Sequence, residues 1–176
     1  MILEHKIRDQ IRNRADYMCE FCGVSETDSG GELTVDHFKP RSKGGDDHPD
    51  NLIYGCIRCN QFKLDYWPEN DRDQMLWNPR SESSDRHFLL LDDGILYPLT
   101  AMGSFTLKRL RLNRPPLIAT RLRRLRAIEH RRLLKQYQSL LGLLEQTLLR
   151  QKELIQEQQK LLKKQHELLK LLADEQ

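Results

Sequence analysis

The chain has no apolar run approaching the roughly 18 residues that a membrane-spanning helix requires, so no membrane partner is expected. Aromatic residues are few, 7% of 176, against 31% charged ones, which points to one compact domain with a modest core plus an extension. Residues 1–16 are charged throughout and lack the apolar stretch of a secretory signal, so a cytoplasmic, reducing location is the expectation. Proline is missing between Leu117 and Leu172, and Gly142 is the only glycine there, so nothing in that stretch breaks a helix outright. Cysteine is scarce as well: Cys19, Cys22, Cys56 and Cys59 form two Cys-x-x-Cys pairs with none left over.

In a reducing compartment two such pairs favour zinc over disulfides. Each pair lets two thiolates reach one ion, and four complete a closed tetrahedral structural site. Two separate redox motifs are the competing reading, but neither pair follows a strand in a βαβ pattern. The pairs are separated by 33 residues, longer than the roughly 15 to 20 of an ordinary four-cysteine ribbon, so something else is built between them.

The net charge of +3 is unevenly spread. From Lys108 to Lys135 there are 11 Lys and Arg against one acid, Glu129, so that stretch carries +10 and the remainder −7. A local basic block of this kind suggests a polyanionic partner, with a solvated helix face as the plainer reading. The cations Lys108, Arg109, Arg111, Arg121, Arg123 and Arg124 are the candidates for backbone phosphates, which give affinity rather than sequence choice.

Residues 3–18 read as a short helix. Thr34–His37 and Leu52–Tyr54 read as short strands, and Cys59–Leu64 as the start of a helix. Asp92-Asp93-Gly94 between apolar segments 88–91 and 95–99 signals a hairpin, and 105–112 a further helix. Beyond Pro115-Pro116, one heptad row runs Leu133, Leu140, Thr147, Leu154, Leu161, Leu168, and a second Leu134, Leu141, Leu148, Ile155, Leu162, Leu169. A third, Tyr137, Leu144, Gln151, Gln158, Gln165, Leu172, is mixed. This sustained repeat predicts one long helix, about 80 Å if unbroken, with Gly142 as its one bend point. A small domain cannot cover such a stripe, so a homo-oligomer or a protein partner is expected there. The Gln row argues against a plain two-stranded zipper.

Between the cysteine pairs lies VDHFKPRSKGGDDHPDN, and Asn60, Gln61, Phe62 and Lys63 follow Cys59. Asp36 is a hard oxygen ligand, and histidine, here His37, is the side chain suited to proton transfer near neutral pH. Adjacent strand residues face opposite ways, so the two serve one centre only if the chain twists or ends there.

These residues resemble the HNH nuclease superfamily: CEFC, then VDHFKPRSKGG, then DNLIYGCIRCNQFK, in that order and spacing. The resemblance implies an α+β protein, with a small ββα-metal domain stapled by structural zinc and followed by a long coiled-coil-like helix. The nuclease domain is expected at 1–116 (core motif 19–63, accessory hairpin and helix 77–113) and the basic, heptad-patterned tail at 117–176. It implies a metal-dependent DNA endonuclease of the His-Asn-Asn variant. His37 activates water, Asp36 and Asn60 hold a divalent metal, and Asn51 holds the motif loop and orients His37 through its amide. An amide ligand at Asn60 shifts the expected metal to Mg²⁺ or Mn²⁺. Lys63 is expected to touch a phosphate or to be an exposed helix lysine.

More weakly, WNPR at 77–80, His87-Phe88, Asp93-Gly94, Gly103 and LNRPPLIATR at 112–121 are similar to the downstream part of standalone bacterial members, out to about residue 125. His5, His48, His87, His130 and His166 are expected to have no role, and Trp67 and Trp77 to serve packing. The alternative is a non-catalytic, zinc-containing nucleic-acid-binding module whose coiled-coil tail recruits a partner. The full set Asp36, His37, Asn51 and Asn60 speaks for catalysis, since a binding module needs none of it.

Overall fold

The computed structural model describes residues 5–174, with the side chains of Leu168 and of 171–174 outside the described set. The heptad positions Leu168 and Leu172, and the expected helix start at residues 3 and 4, therefore lie outside what is described. The element order is α1 (His5–Arg14), α2 (Glu26–Ser29), β1 (Thr34–His37), β2 (Leu52–Gly55), α3 (Ile57–Lys63), β3 (Phe88–Leu90), β4 (Leu96–Pro98), α4 (Ala101–Arg109) and α5 (Pro115–Asp174). Two compact units result, one through Leu125 and one from Arg126 onwards.

In the first unit β1 and β2 pair antiparallel, His37 opposite Leu52 and Thr34 opposite Gly55, and α3 follows directly. This is the expected ββα arrangement. β2 is buried along its whole length, which is why four residues suffice to hold it. Tyr54 carries much of that burial: its hydroxyl donates to Glu26 and accepts from the Leu33 amide at 3.0 Å. Arg12, on α1, forms an ion pair with the same Glu26 at 2.6 Å. With Arg12 and then Tyr54 donating to it, the Glu26 carboxyl is held down to about 2. Arg14 donates to the Pro49 and Leu52 carbonyls, pinning α1 across the entry to β2.

The α1 helix stops at Arg14, short of the expected residue 18, because Asp16 and Tyr17 both take positive φ. The predicted hairpin forms as β3–β4. The helix expected at 105–112 runs instead from Ala101 to Arg109. The Thr100 hydroxyl caps its start by accepting from the Gly103 amide, and Arg111 at φ 49° ends it. Phe21, Trp77 and Phe88 stack edge-on in the core, and Phe38 meets Trp67 in the same way, so both tryptophans serve packing. His87 is not idle: it is 5% exposed, with Nε2 2.6 Å from Glu82 and Nδ1 2.8 Å from the Thr100 hydroxyl.

The first compact unit runs through Leu125, and the first turns of α5 lie within it. Leu117, Thr120 and Arg121 are buried there. Arg121 donates to the Gly94 and Leu112 carbonyls and to Asn113 Oδ1, so it is a structural tie and not the phosphate contact expected from the basic block. The second unit is helical, and the helix continues without interruption through Gly142. Its leucines stand in solvent, Leu134, Leu141, Leu148 and Leu162 among them. No helix is long and apolar enough to cross a membrane among the described residues.

Gly94 takes φ +80°, and a Cβ there would come within 2.9 Å of the Ile118 carbonyl oxygen. Gly94→Ala is therefore expected to lower unfolding stability by about 1–3 kcal/mol, measured in urea. An unchanged midpoint would show that the hairpin does not dock on α5 as described.

Candidate active site and metal centre

The four cysteine sulfurs lie within 4.8 Å of one another, and Cys19, Cys56 and Cys59 are buried. Cys22 and Cys56 approach to 3.7 Å between sulfurs. Tetrahedral zinc at about 2.3 Å from each sulfur requires an edge of about 3.8 Å, so the cluster fits the ion expected from the sequence. The knuckle is shaped by the Cys19 amide donating to the Val24 carbonyl and the Gly23 amide to that of Cys19. Cys56 is also the N-cap of α3, its sulfur accepting from the Cys59 amide. Arg114 reaches the Cys56 and Cys59 sulfurs at 3.8 Å each and donates to the Leu110 carbonyl, so a cation meets the thiolate charge.

The loop from Phe38 to Asn51 joins the two strands and is organised by Asn51. Its Oδ1 accepts from the Lys39 amide at 2.8 Å, and its Nδ2 donates to the Lys39 and Asp46 carbonyls. Asn51 thus holds the motif loop, but its amide does not bond His37; both of its polar atoms are spent on the backbone of the loop. Gly45 packs so closely that a Cβ would lie 1.9 Å from the Lys39 carbonyl oxygen, so the second glycine of the motif is a steric necessity.

His37 is the last residue of β1, where the chain leaves the strand. Its Nε2 lies 2.7 Å from Asp47 Oδ1 and 3.3 Å from Arg41 Nε. The shorter contact governs: facing a carboxylate, Nε2 carries the proton and donates it. Nδ1 has no partner among the described residues. Arg41 in turn grips both oxygens of Asp47, with Nε at 2.9 Å, and holds its carboxyl down to about 2, His37 adding to the effect. That contact is complete above the usual carboxylate range and is lost only as pH falls towards 2, so the arrangement is intact at neutral pH.

Asp36 faces the other way, towards α3. Its Oδ2 accepts from Lys63 Nζ at 3.1 Å. Lys63 is 1% exposed, and its remaining polar contact is the Leu64 carbonyl. Lys63 is therefore not an exposed helix lysine: its charge is buried against Asp36. Asn60 lies one helical turn before Lys63 on the same side of α3.

Of the remaining cations, Arg109 is largely spent within the fold, 4.0 Å over the Tyr66 ring and donating to the Lys63 carbonyl. Lys108, Arg111 and Arg123 are exposed, and Arg124 is partly so, paired with Asp28 at 2.9 Å. His48 is an exposed loop residue. Arg41, Asp47 and Arg114 were not legible as site residues. Only proximity in space joins Asp47 to a histidine ten positions earlier, and no spacing rule anticipates it.

Residues 19–65 match the family model described as HNH endonuclease. The match takes in both cysteine pairs, the hairpin and α3, and stops there. No curated protein matches the chain.

The metal centre makes a direct prediction. The purified protein should carry one zinc per chain by elemental analysis, and Cys59→Ser should lose it and lower the melting midpoint by on the order of 10 °C or more. Full stability without zinc would show that the thiols are only core residues.

Proposed function

We propose that this protein is an endonuclease that hydrolyses phosphodiester bonds in DNA. The observation that carries the reading is the His37–Asp47 contact. With Nε2 committed as a donor, Nδ1 is the basic nitrogen left to take a proton from water. The water oxygen then bonds to phosphorus, the bond to the leaving ribose oxygen breaks, and that oxygen takes a proton from solvent. Asp36 and Asn60 would hold a divalent cation, which supplies charge neutralisation at the phosphate when bound. One carboxylate oxygen with an amide oxygen is a sparse hard donor set, and such a set suits Mg²⁺ or Mn²⁺, which keep waters and substrate oxygens as the other ligands. Asn51 keeps the loop in the shape that presents His37. Lys108, Arg111, Arg123 and Arg124 would meet backbone phosphates.

One observation favours the alternative, a zinc module that binds nucleic acid without cutting it: Lys63 already neutralises Asp36, which weakens that carboxylate for a metal. Activity separates the two. Supercoiled plasmid should be nicked with Mg²⁺ or Mn²⁺, and His37→Ala should lower the rate by about 10²- to 10⁴-fold. Equal rates in both proteins would discard this mechanism.

The heptad face of α5 is proposed to join copies of the chain, in a reducing cytoplasm where the cysteines remain metal ligands. Sedimentation should give a mass at least twice the 20.9 kDa of one chain. A monomer at every concentration would leave the stripe to a different protein partner.

A further inference from the structure

We propose that the C-terminal helix assembles as a closed bundle of three or more copies of this chain, each helix packed between two neighbours, with Gln151, Gln158 and Gln165 facing the bundle axis. The bundle presupposes the reading above that the heptad face joins copies. It adds how many neighbours each copy takes and what lies between them.

The chain does not cover its own stripe. α5 is one continuous helix from Pro115 to Asp174, so it does not fold back on itself at Gly142. The described apolar side chains of the Leu133 row and the Leu134 row are accordingly 42% to 65% exposed.

The width of the stripe decides how many helices are needed. Leu133 and Leu134 are adjacent in sequence, as are Leu140 and Leu141, Leu154 and Ile155, and Leu161 and Leu162. Adjacent residues on an α-helix stand about 100° apart, so the two rows point in directions about that far apart. The seam of a two-stranded coiled coil is about half as wide, its rows being three and four residues apart. One neighbour therefore covers one row and leaves the other in water. Seen from one helix, the neighbours stand about 60° apart in a ring of three and about 90° apart in a ring of four, so a stripe this wide fits four best.

Charge marks the same face. Between Leu133 and Leu169 every Lys, Arg, Asp and Glu lies outside the two leucine rows and the Tyr137 row midway between them. The opposite side of the helix carries Lys135, Gln156 and Lys163. Between Leu133 and Leu162 only Leu143 and Leu149 among the leucines fall off the three rows. The central row is thus polar three times running at Gln151, Gln158 and Gln165, yet never charged. A row turned to solvent on so charged a helix has no reason to exclude charge, whereas a row turned to a bundle axis must. A glutamine amide both donates and accepts, so it is matched by another glutamine at the same level. Copies of this chain supply that match in every layer, which makes the chain itself the fitting partner. Polar layers of this kind cost stability and fix register and helix number.

The test is sedimentation equilibrium of the full chain, with thermal melting followed by circular dichroism. The mass should come close to four times the 20.9 kDa of one chain, and a mass of three or more chains supports the bundle. Gln158→Lys should bring the mass down to one or two chains at concentrations where the unaltered protein is fully assembled. Gln156→Lys, on the opposite side, should leave the mass unchanged. Replacing Gln151, Gln158 and Gln165 together by Leu should raise the melting midpoint by about 5 °C or more, since apolar side chains then fill the axis. An assembled Gln158→Lys protein, or an unshifted midpoint in the triple variant, would place the glutamines in water and overturn the bundle. A mass of two chains overturns it too, but leaves the reading that copies are joined. A single chain at every concentration removes both.

Discussion

Four thiols drawn within 4.8 Å of one another, across up to 40 positions of chain, are the constraint on which the first compact unit hangs. A chain this polar has little apolar surface to bury, and a metal staple substitutes for core. The same four residues also set the geometry of what lies between them. Cys56 is at once a member of the thiol cluster and the cap that starts α3, so the helix carrying Asn60 and Lys63 begins where the cluster puts it. Arg114, the residue before α5, meets the sulfurs from the far side and carries the constraint onward to the α4–α5 junction.

Around that anchor the site is made of charge pairs and not of an apolar pocket. Two of them differ in what they do. Lys63–Asp36 buries the lysine completely while the carboxylate stays partly open, so the buried charge keeps the carboxylate directed towards α3. Arg41–Asp47 lies open to solvent, and its carboxylate holds the imidazole. As adjacent residues at the end of β1, Asp36 and His37 enter these two environments by strand alternation. Facing opposite ways, each finds its own partner, one on the helix and one on the loop.

Past the family match, the first turns of α5 act as core material for the domain, while the residues from Arg126 onwards present leucines with nothing against them among the described residues. The basic block divides along the same line of reasoning. Arg121 and Arg109 are consumed by carbonyls and a ring inside the fold, whereas Lys108, Arg111 and Arg123 remain at the surface. A count of charges in the sequence treats all five alike.

The strands Thr34–His37 and 52–54, the β3–β4 hairpin, the cysteine cluster and the long helix could be read directly from residue order. Each rests on local rules: side-chain alternation, turn residues, ligand spacing and a seven-residue period. The ends of α1 and α4 could not, because positive φ at Asp16 and Arg111 is a consequence of how the chain turns onto its neighbours. Nor could the partners of the site residues. That Asn51 would bond the backbone of its own loop, that Lys63 would be buried on Asp36, and that Asp47 would hold His37 all depend on distances across 5 to 27 positions. Sequence by itself determined which four cysteines would meet, since the spacing of paired ligands is a local rule. Tertiary structure alone decided which cations are spent in the core and which face water, because burial is a property of the packed chain and not of any residue in it.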